Sequence, residues 1–334
     1  MKKGLLIFAI LPLFLFAQKK LPLIQSITSD TLYGKYQQIS FIYDRFDRVT
    51  DIIKTNCKTT KTSPNDVFPL IDTVTIQQFN YVGKSKSPIS RKITNYEFDP
   101  VDQVSYWTFI QKQVFIYKEG KHIQDSITNK VNRLRLEEDH IDNDKPYYWK
   151  GRLEYSNKAL KYILNTNYLT RRKYDYAQGE TTELLINSQQ NIAKEAEEPF
   201  MKSHSSSNPP YFTYSKFDKA INPLGYLNIS SIFPHENISF SYDTDGLIGI
   251  EDQEIFNNDY SVFKWYYLNQ NNILTYTITR GDTDSPFKDI IHLSYTYNQF
   301  NLPIECIALI HKEFTRDGRA VGKYEKRFTF SYRN

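Results

Sequence analysis

The residue types able to do chemistry are present in this chain, but they are scattered. Six histidines stand at 122, 140, 204, 235, 292 and 311, and none share the spacing of a zinc motif such as His-Glu-x-x-His. The chain has no Gly-x-Ser-x-Gly elbow, phosphate-binding glycine loop or dinucleotide fingerprint. Asp243, Asp245 and Gly246, with Asp252, echo the middle of a calcium loop. Ser241 stands where the first ligand should be, and the closing Glu is missing. A hairpin turn explains the same residues without an ion. Asp142 with Asp144, and Asp282 with Asp284, are paired carboxylates of the kind that polar turn tips produce routinely. No catalytic residue, metal ligand or cofactor is assigned. The candidate ligand-binding residues are Trp107, Trp149 and Trp265, because exposed indoles stack on sugars and anchor protein interfaces. In a sheet the same rings also serve as apolar filling.

The elements that must carry these residues are strands. The chain has 26 Tyr and 22 Phe against 12 Gly and 2 Met, and aromatic and β-branched residues suit a pleated, half-buried surface. One pattern recurs: an alternating strand ends in an aromatic residue, and Gly, Asp or Asn follows about four positions on. Tyr43 with Asp47, Tyr214 with Asp218, Tyr242 with Gly246, Tyr297 with Asn301 and Phe314 with Gly318 are its clear copies. Leu268 with Asn272 is the same unit without the aromatic. Tyr117 with Gly120 and Tyr176 with Gly179 are one residue shorter. Such loops are built on a type I turn whose exit needs a positive φ. Flanking stretches such as Leu274-Thr275-Tyr276-Thr277-Ile278 alternate apolar with hydroxyl residues, giving one apolar and one polar face. The expectation is an all-β fold: an antiparallel meander of repeated aromatic hairpins forming one large curled sheet or barrel-like structure.

Tyr242-Asp243-Thr244-Asp245-Gly246-Leu247 resembles the tyrosine–aspartate (RHS-like) repeats of bacterial surface and toxin-shell proteins, and Tyr43-Asp44-Arg45-Phe46-Asp47-Arg48 is a looser copy. The stretch from Tyr214 to Pro223 is similar to a recurring segment of exported proteins of Gram-negative gut-type bacteria, a group with a porin-like fold and no assigned function. The resemblance covers scattered pieces of residues 38–332. It implies a fold and carries no functional residue across.

Lys2 and Lys3, the apolar run Gly4–Ala17 and a small residue before Gln18 have the layout of a secretory leader. The expectation is a signal peptide at 1–17 and a single β-repeat domain at 18–334. The product is periplasmic or secreted, with no lipoprotein cysteine. Losing two lysines with the leader takes the net charge from +4 to +2, too mild for a nucleic-acid partner. Asn187–Pro210, rich in Ser, Glu and amides, reads as a mobile loop with room for a short helix at 192–197, and Asn132–Lys145 as a charged loop. Cys57 and Cys306 fit either a bridge, which requires the sheet to curl shut, or two buried thiols. The leading functional reading is a non-catalytic envelope protein that serves as a scaffold or binding surface for a glycan or an envelope protein. An outer-membrane barrel is one alternative, and a hydrolase of envelope or extracellular polymers another. As a membrane barrel, Ile291, Leu293, Tyr295 and Tyr297 would form one lipid-facing row, and Ile304, Cys306, Ala308 and Ile310 a second. Lys112 and Lys326 interrupt neighbouring rows, so membrane insertion is disfavoured.

Overall fold

The structure, a computed structural model, describes residues 20–30, 35–63, 66–99, 104–131, 147–156, 159–166, 179–199, 211–241, 261–280, 287–314 and 320–333. The strands in chain order begin with β1 (Leu23–Ser29), β2 (Lys35–Tyr43), β3 (Val49–Ser63), β4 (Asp66–Asn80), β5 (Ser90–Asp99) and β6 (Val104–Lys118). They continue with β7 (Lys121–Val131), β8 (Tyr147–Tyr155), β9 (Ala159–Thr166), β10 (Gly179–Ile186), β11 (Ile192–Pro199) and β12 (Tyr211–Ile221). The last are β13 (Asn237–Ser241), β14 (Ser261–Tyr266), β15 (Asn271–Arg280), β16 (Phe287–Tyr297), β17 (Pro303–Phe314) and β18 (Ala320–Arg333). Sixteen of them pair antiparallel in one closed barrel, and β13 and β14 form a separate two-stranded sheet. The wall is a meander broken once, where β12 pairs directly with β15 and the chain between them leaves the sheet.

Alternation sorts the faces as the sequence implies. In β15, Tyr276 and Ile278 are fully buried while Thr275, Thr277 and Thr279 face out beside them. Ile291 and Leu293 of β16, Cys306, Ala308 and Ile310 of β17, and Phe328 and Phe330 of β18 continue the inner face around the barrel. The outer face is largely hydroxyl and charged, with ion pairs Arg152–Glu154, Lys161–Glu183 and Arg327–Glu305 across or along strands. Its exposed apolar side chains include Ile42, Val114 and Ile116 on β2 and β6.

The turn chemistry explains the repeat. The carboxylate of Asp44 accepts from the amides of Phe46 and Arg48, Asn187 does the same for Gln189 and Asn191, and Asn298 for Phe300 and Leu302. The residue three positions after each, Asp47, Gln190 and Asn301, takes positive φ (57°, 61° and 60°). The aromatic residue before the turn has its own task. Tyr43 and Tyr117, and likewise Tyr332 near the end of β18, each donate the phenol proton to a backbone carbonyl, those of Ile24, Pro88 and Pro303. Tyr81 does so to Val49. A ring of phenols thus stitches adjacent turns at one end of the barrel.

Several expectations are corrected. Residues 187–210 are not one loop: 187–191 form a tight turn and Ile192–Pro199 is strand β11, not a helix. Tyr214 and Asp218 do not flank a turn, because β12 runs through them with bulges. Asp218 instead accepts from Asn272 and from the phenol of Tyr297. Closure occurs without a disulfide. Cys57 on β3 is in register with outward Tyr36 and Ile71, Cys306 on β17 faces in, and β2, β1 and β18 lie between them. The leader, the loop at 132–145, the Tyr242–Gly246 and Phe314–Gly318 units and the paired carboxylates at 142 and 144 and at 282 and 284 lie outside the described residues.

Candidate functional site: a lumen closed by a plug

The described parts of the segment between β12 and β15, residues 222–241 and 261–270, lie inside the barrel. Its Phe233 packs on Phe79 of β4 and Phe115 of β6, while its Phe240, Phe263 and Trp265 pack on Phe328 of β18. An insert that touches inward side chains from such separated strands can only occupy the lumen. Eleven of its side chains, from Leu224 to Tyr267, are 0–4% exposed. At roughly 1.5–3 kcal/mol for each fully buried apolar side chain, they contribute on the order of 20 kcal/mol as an upper figure. The insert is therefore the core of the molecule and not a detachable lid.

Polar contacts fix its orientation. Arg91 of β5 is 6% exposed and spends all five donors. Its Nε and Nη2 donate to Gln113 Oε1 (3.1 and 2.6 Å), its Nη1 to Gln77 Oε1 (3.1 Å), and Nη1 and Nη2 to the two carboxylate oxygens of Glu236 in the plug (2.7 Å each). Beside it, His122 Nδ1 donates to the carbonyl of Ile232 at 2.7 Å, and Nε2 donates to Asp125 Oδ1 at 2.5 Å. Against the opposing effect of burial, the hydrogen bond and charge of Asp125 raise the affinity of this imidazole for its second proton. Tyr162 donates to the other oxygen of Asp125 at 3.0 Å and stacks on His235 with ring centroids 4.0 Å apart. His235 Nδ1 has no partner among the described residues. Burial, only partly offset by nearby Glu236 and Asp125, pushes this imidazole down to about 4. The cluster thus balances Arg91 and His122 against Glu236 and Asp125. On the other side of the lumen, Lys264 of the plug donates to Glu195 of β11 at 3.0 Å, and Tyr266 also donates to that carboxylate. Lys54 of β3 donates to the carbonyl of Ser239.

Away from the phenol ring the inner wall changes character. Asn56, Thr73, Thr75, Asn95, Gln111 and Asn129 face inward by register on β3 to β7, and all are partly exposed. An inward side chain that water reaches marks open lumen.

The three tryptophans do not converge. Trp107 faces outward, with the Lys130 ammonium 5.4 Å from its ring centre. Trp265 is a plug residue, 3% exposed, whose Nε1 donates to the Tyr295 phenol at 3.2 Å. Trp149 is in register with Ile127 on β8. Outside the lumen, a pocket of about 500 Å³ sits where the barrel seam closes, lined in part by Lys20, Asp47, Phe300 and Arg333. Both its cations pair with Asp47, whose carboxyl is held below the usual range first by Lys20 and, once burial is overcome, by Arg333. Among the described residues no group of three or more His, Cys, Asp or Glu is placed to hold a metal ion.

The buried ionic residues were missed from sequence, although a signal for them existed. Asp125 is in phase with Ile127 and Lys326 with Phe328 and Phe330, so charge recurs on the apolar side of a strand. Such a charge marks a buried partner.

No family model matches the chain, and no curated protein does. Among solved structures, a porin-like protein from Bacteroides uniformis is similar over 92% of this chain and 96% of its own, at 12% identity and a TM-score of 0.36. A porin-like protein from Bacteroides vulgatus is similar over 93% and 98%, at 9% identity and a TM-score of 0.37. Both neighbours are described as porin-like, the word for the fold that the segment at Tyr214 implies. The expectation that membrane insertion is disfavoured is corrected here. It treated Lys112 and Lys326 as lipid-facing; Lys112 does face outward beside Val114 and Ile116, but Lys326 points into the lumen at 4% exposed, as do the rows running through Ile291 and Cys306. The sheet is also closed, the one form in which strands satisfy their backbone inside a bilayer.

Proposed function

We propose that the chain is a non-catalytic envelope barrel of the outer-membrane type, and that its plug makes it a blind-ended binding vessel instead of a conducting pore. The observation that carries this reading is the plug: it joins the wall through an apolar core and two ionic contacts on separate sides, Arg91–Glu236 and Lys264–Glu195. A segment that supplies the core of its own barrel cannot swing aside to open a channel. Closure supports the membrane aspect, since sixteen paired strands leave no edge needing water. The outer face sets a condition on it. A charge at the midplane costs about 2–4 kcal/mol. In this reading the ion pairs of β8 to β10 are therefore covered by headgroups or by protein, and the side carrying Ile42, Val114 and Ile116 meets lipid with the ammonium of Lys112 reaching to the headgroups.

Two measurements on the full-length exported protein test the reading. A carbonate wash of the cell envelope should leave the barrel in the pellet, and release into the supernatant would refute the membrane aspect. Reconstituted in a planar bilayer, the protein should give no steady conductance. A stable open-channel current would refute the blind vessel.

A further inference from the structure

We infer that the open end of the lumen binds a neutral saccharide, an inference that rests on the blind-vessel reading and names its ligand class. The support is the inner wall of β3 to β7, whose cross-strand rows can be followed in register. One row runs Gln77, Ile93, Gln111, Asn129; the next runs Lys54, Thr75, Asn95, Phe109. These rows are amides and a hydroxyl interleaved with Ile93 and Phe109, and Lys54 is their one charge, already donated to the plug at Ser239.

The composition selects a ligand. A carboxamide donates and accepts at once, as does each hydroxyl of a sugar, so a wall of Asn, Gln and Thr matches vicinal hydroxyls without ionic partners. Phe109 and Ile93 offer flat apolar surface to the C–H face of the ring. An anionic polymer would have to give up its hydration with no cation on these rows free to receive it, and burying an unpaired charge is costly. The side chains of Asn95 and Asn129 are partly exposed within the lumen, so a ligand can reach them. The plug forms the floor of the site, where the next row of the wall, Phe79, Arg91, Gln113 and Ile127, holds it through Phe233 and Glu236.

The test uses the intact folded barrel, a neutral linear glucan oligosaccharide (maltohexaose) and, for contrast, an acidic oligogalacturonate of the same length, with binding read by calorimetry. The double variant Asn95→Ala/Gln111→Ala should weaken maltohexaose binding tenfold or more. Thr75→Trp, which fills the lumen, should abolish it. Ser126→Trp on the outer face should leave it within twofold. Circular dichroism of each variant separates lost binding from lost folding, and Ser126→Trp controls for the added indole. The inference is overturned if the wild-type barrel binds no maltohexaose, if the acidic oligomer binds more tightly, or if binding survives the lumen variants. None of these outcomes bears on conductance or membrane retention, so failure of the ligand assignment is distinguishable from failure of the vessel reading.

Discussion

Replacing Glu236 with Ala removes two of the five hydrogen bonds of Arg91, together with the carboxylate that neutralises it. The guanidinium cannot turn to water, because it is 6% exposed and its carbon lies 4.6 Å from the centre of the Phe233 ring. Gln77 and Gln113 still accept three bonds but carry no charge. Breaking a buried pair by removing one partner costs about 3–5 kcal/mol, most of it the penalty of the stranded charge. The double variant Arg91→Met/Glu236→Met removes both charges and keeps side-chain bulk near Phe233, so it should lie within about 2 kcal/mol of the parent. Urea unfolding followed by the fluorescence of Trp265, buried in the plug, measures both. A loss below about 1 kcal/mol in Glu236→Ala would refute the reasoning, since the ring of contacts would then be ornamental. A double variant as unstable as the single would refute it differently, by assigning the cost to lost packing.

Two further outcomes follow from geometry already described. His235 faces Tyr162, Glu236, Asp125, His122 and Arg91, and with a folded pKa of about 4 it binds fewer protons folded than unfolded between pH 4 and 6.5. Stability should therefore be level above pH 6.5 in this group and fall by about 3 kcal/mol as the pH drops to 4. Melting temperature against pH should flatten over that range in His235→Phe, and an unchanged slope would exclude the imidazole. Gly120 has φ of 77° and open space where a Cβ would stand, so Gly120→Val should cost about 1–2 kcal/mol by backbone strain alone. Thr277→Val on the outer face should cost little, and equal losses in the two variants by urea unfolding would mean that the turn register is wrong.

Local features of the fold were legible because they are written in neighbouring residues. The alternation at Leu274–Ile278 sorts the faces of β15, and the spacing from Tyr43 to Asp47 and from Tyr297 to Asn301 fixes two positive-φ turns. Closure was not legible, since it depends on Leu23 meeting Arg333, a pairing that no local pattern encodes. The plug was hidden for a related reason. Ile238–Ser241 alternates like every wall strand, yet its partner is Trp265 and its neighbours, a two-stranded sheet enclosed by the rest. Period two records that a face is buried and is silent about what buries it. The tryptophans were chosen by residue type alone, and the ionic cluster around Arg91 was passed over because its members lie far apart in sequence.

The seam at β1 and β18 joins the two ends of the described chain, while the segment it encloses comes from the middle. That arrangement limits the routes of assembly. Adjacent strands of a closed wall stand about 4.7–4.9 Å apart, which leaves no gap for a segment carrying Phe233, Phe240 and Trp265 to pass through. The interior is seated either while the wall is still an unrolled sheet or through the barrel's open mouth, and the wall closes when the final strand docks. Closing so long a loop adds little entropy beyond a shorter one, because the cost grows only with the logarithm of length. The cost lies in waiting: until β18 is made and docked, β1 and β17 present bare edges to any other chain nearby. A chain cut short before β18 would therefore pair with strangers instead of with itself.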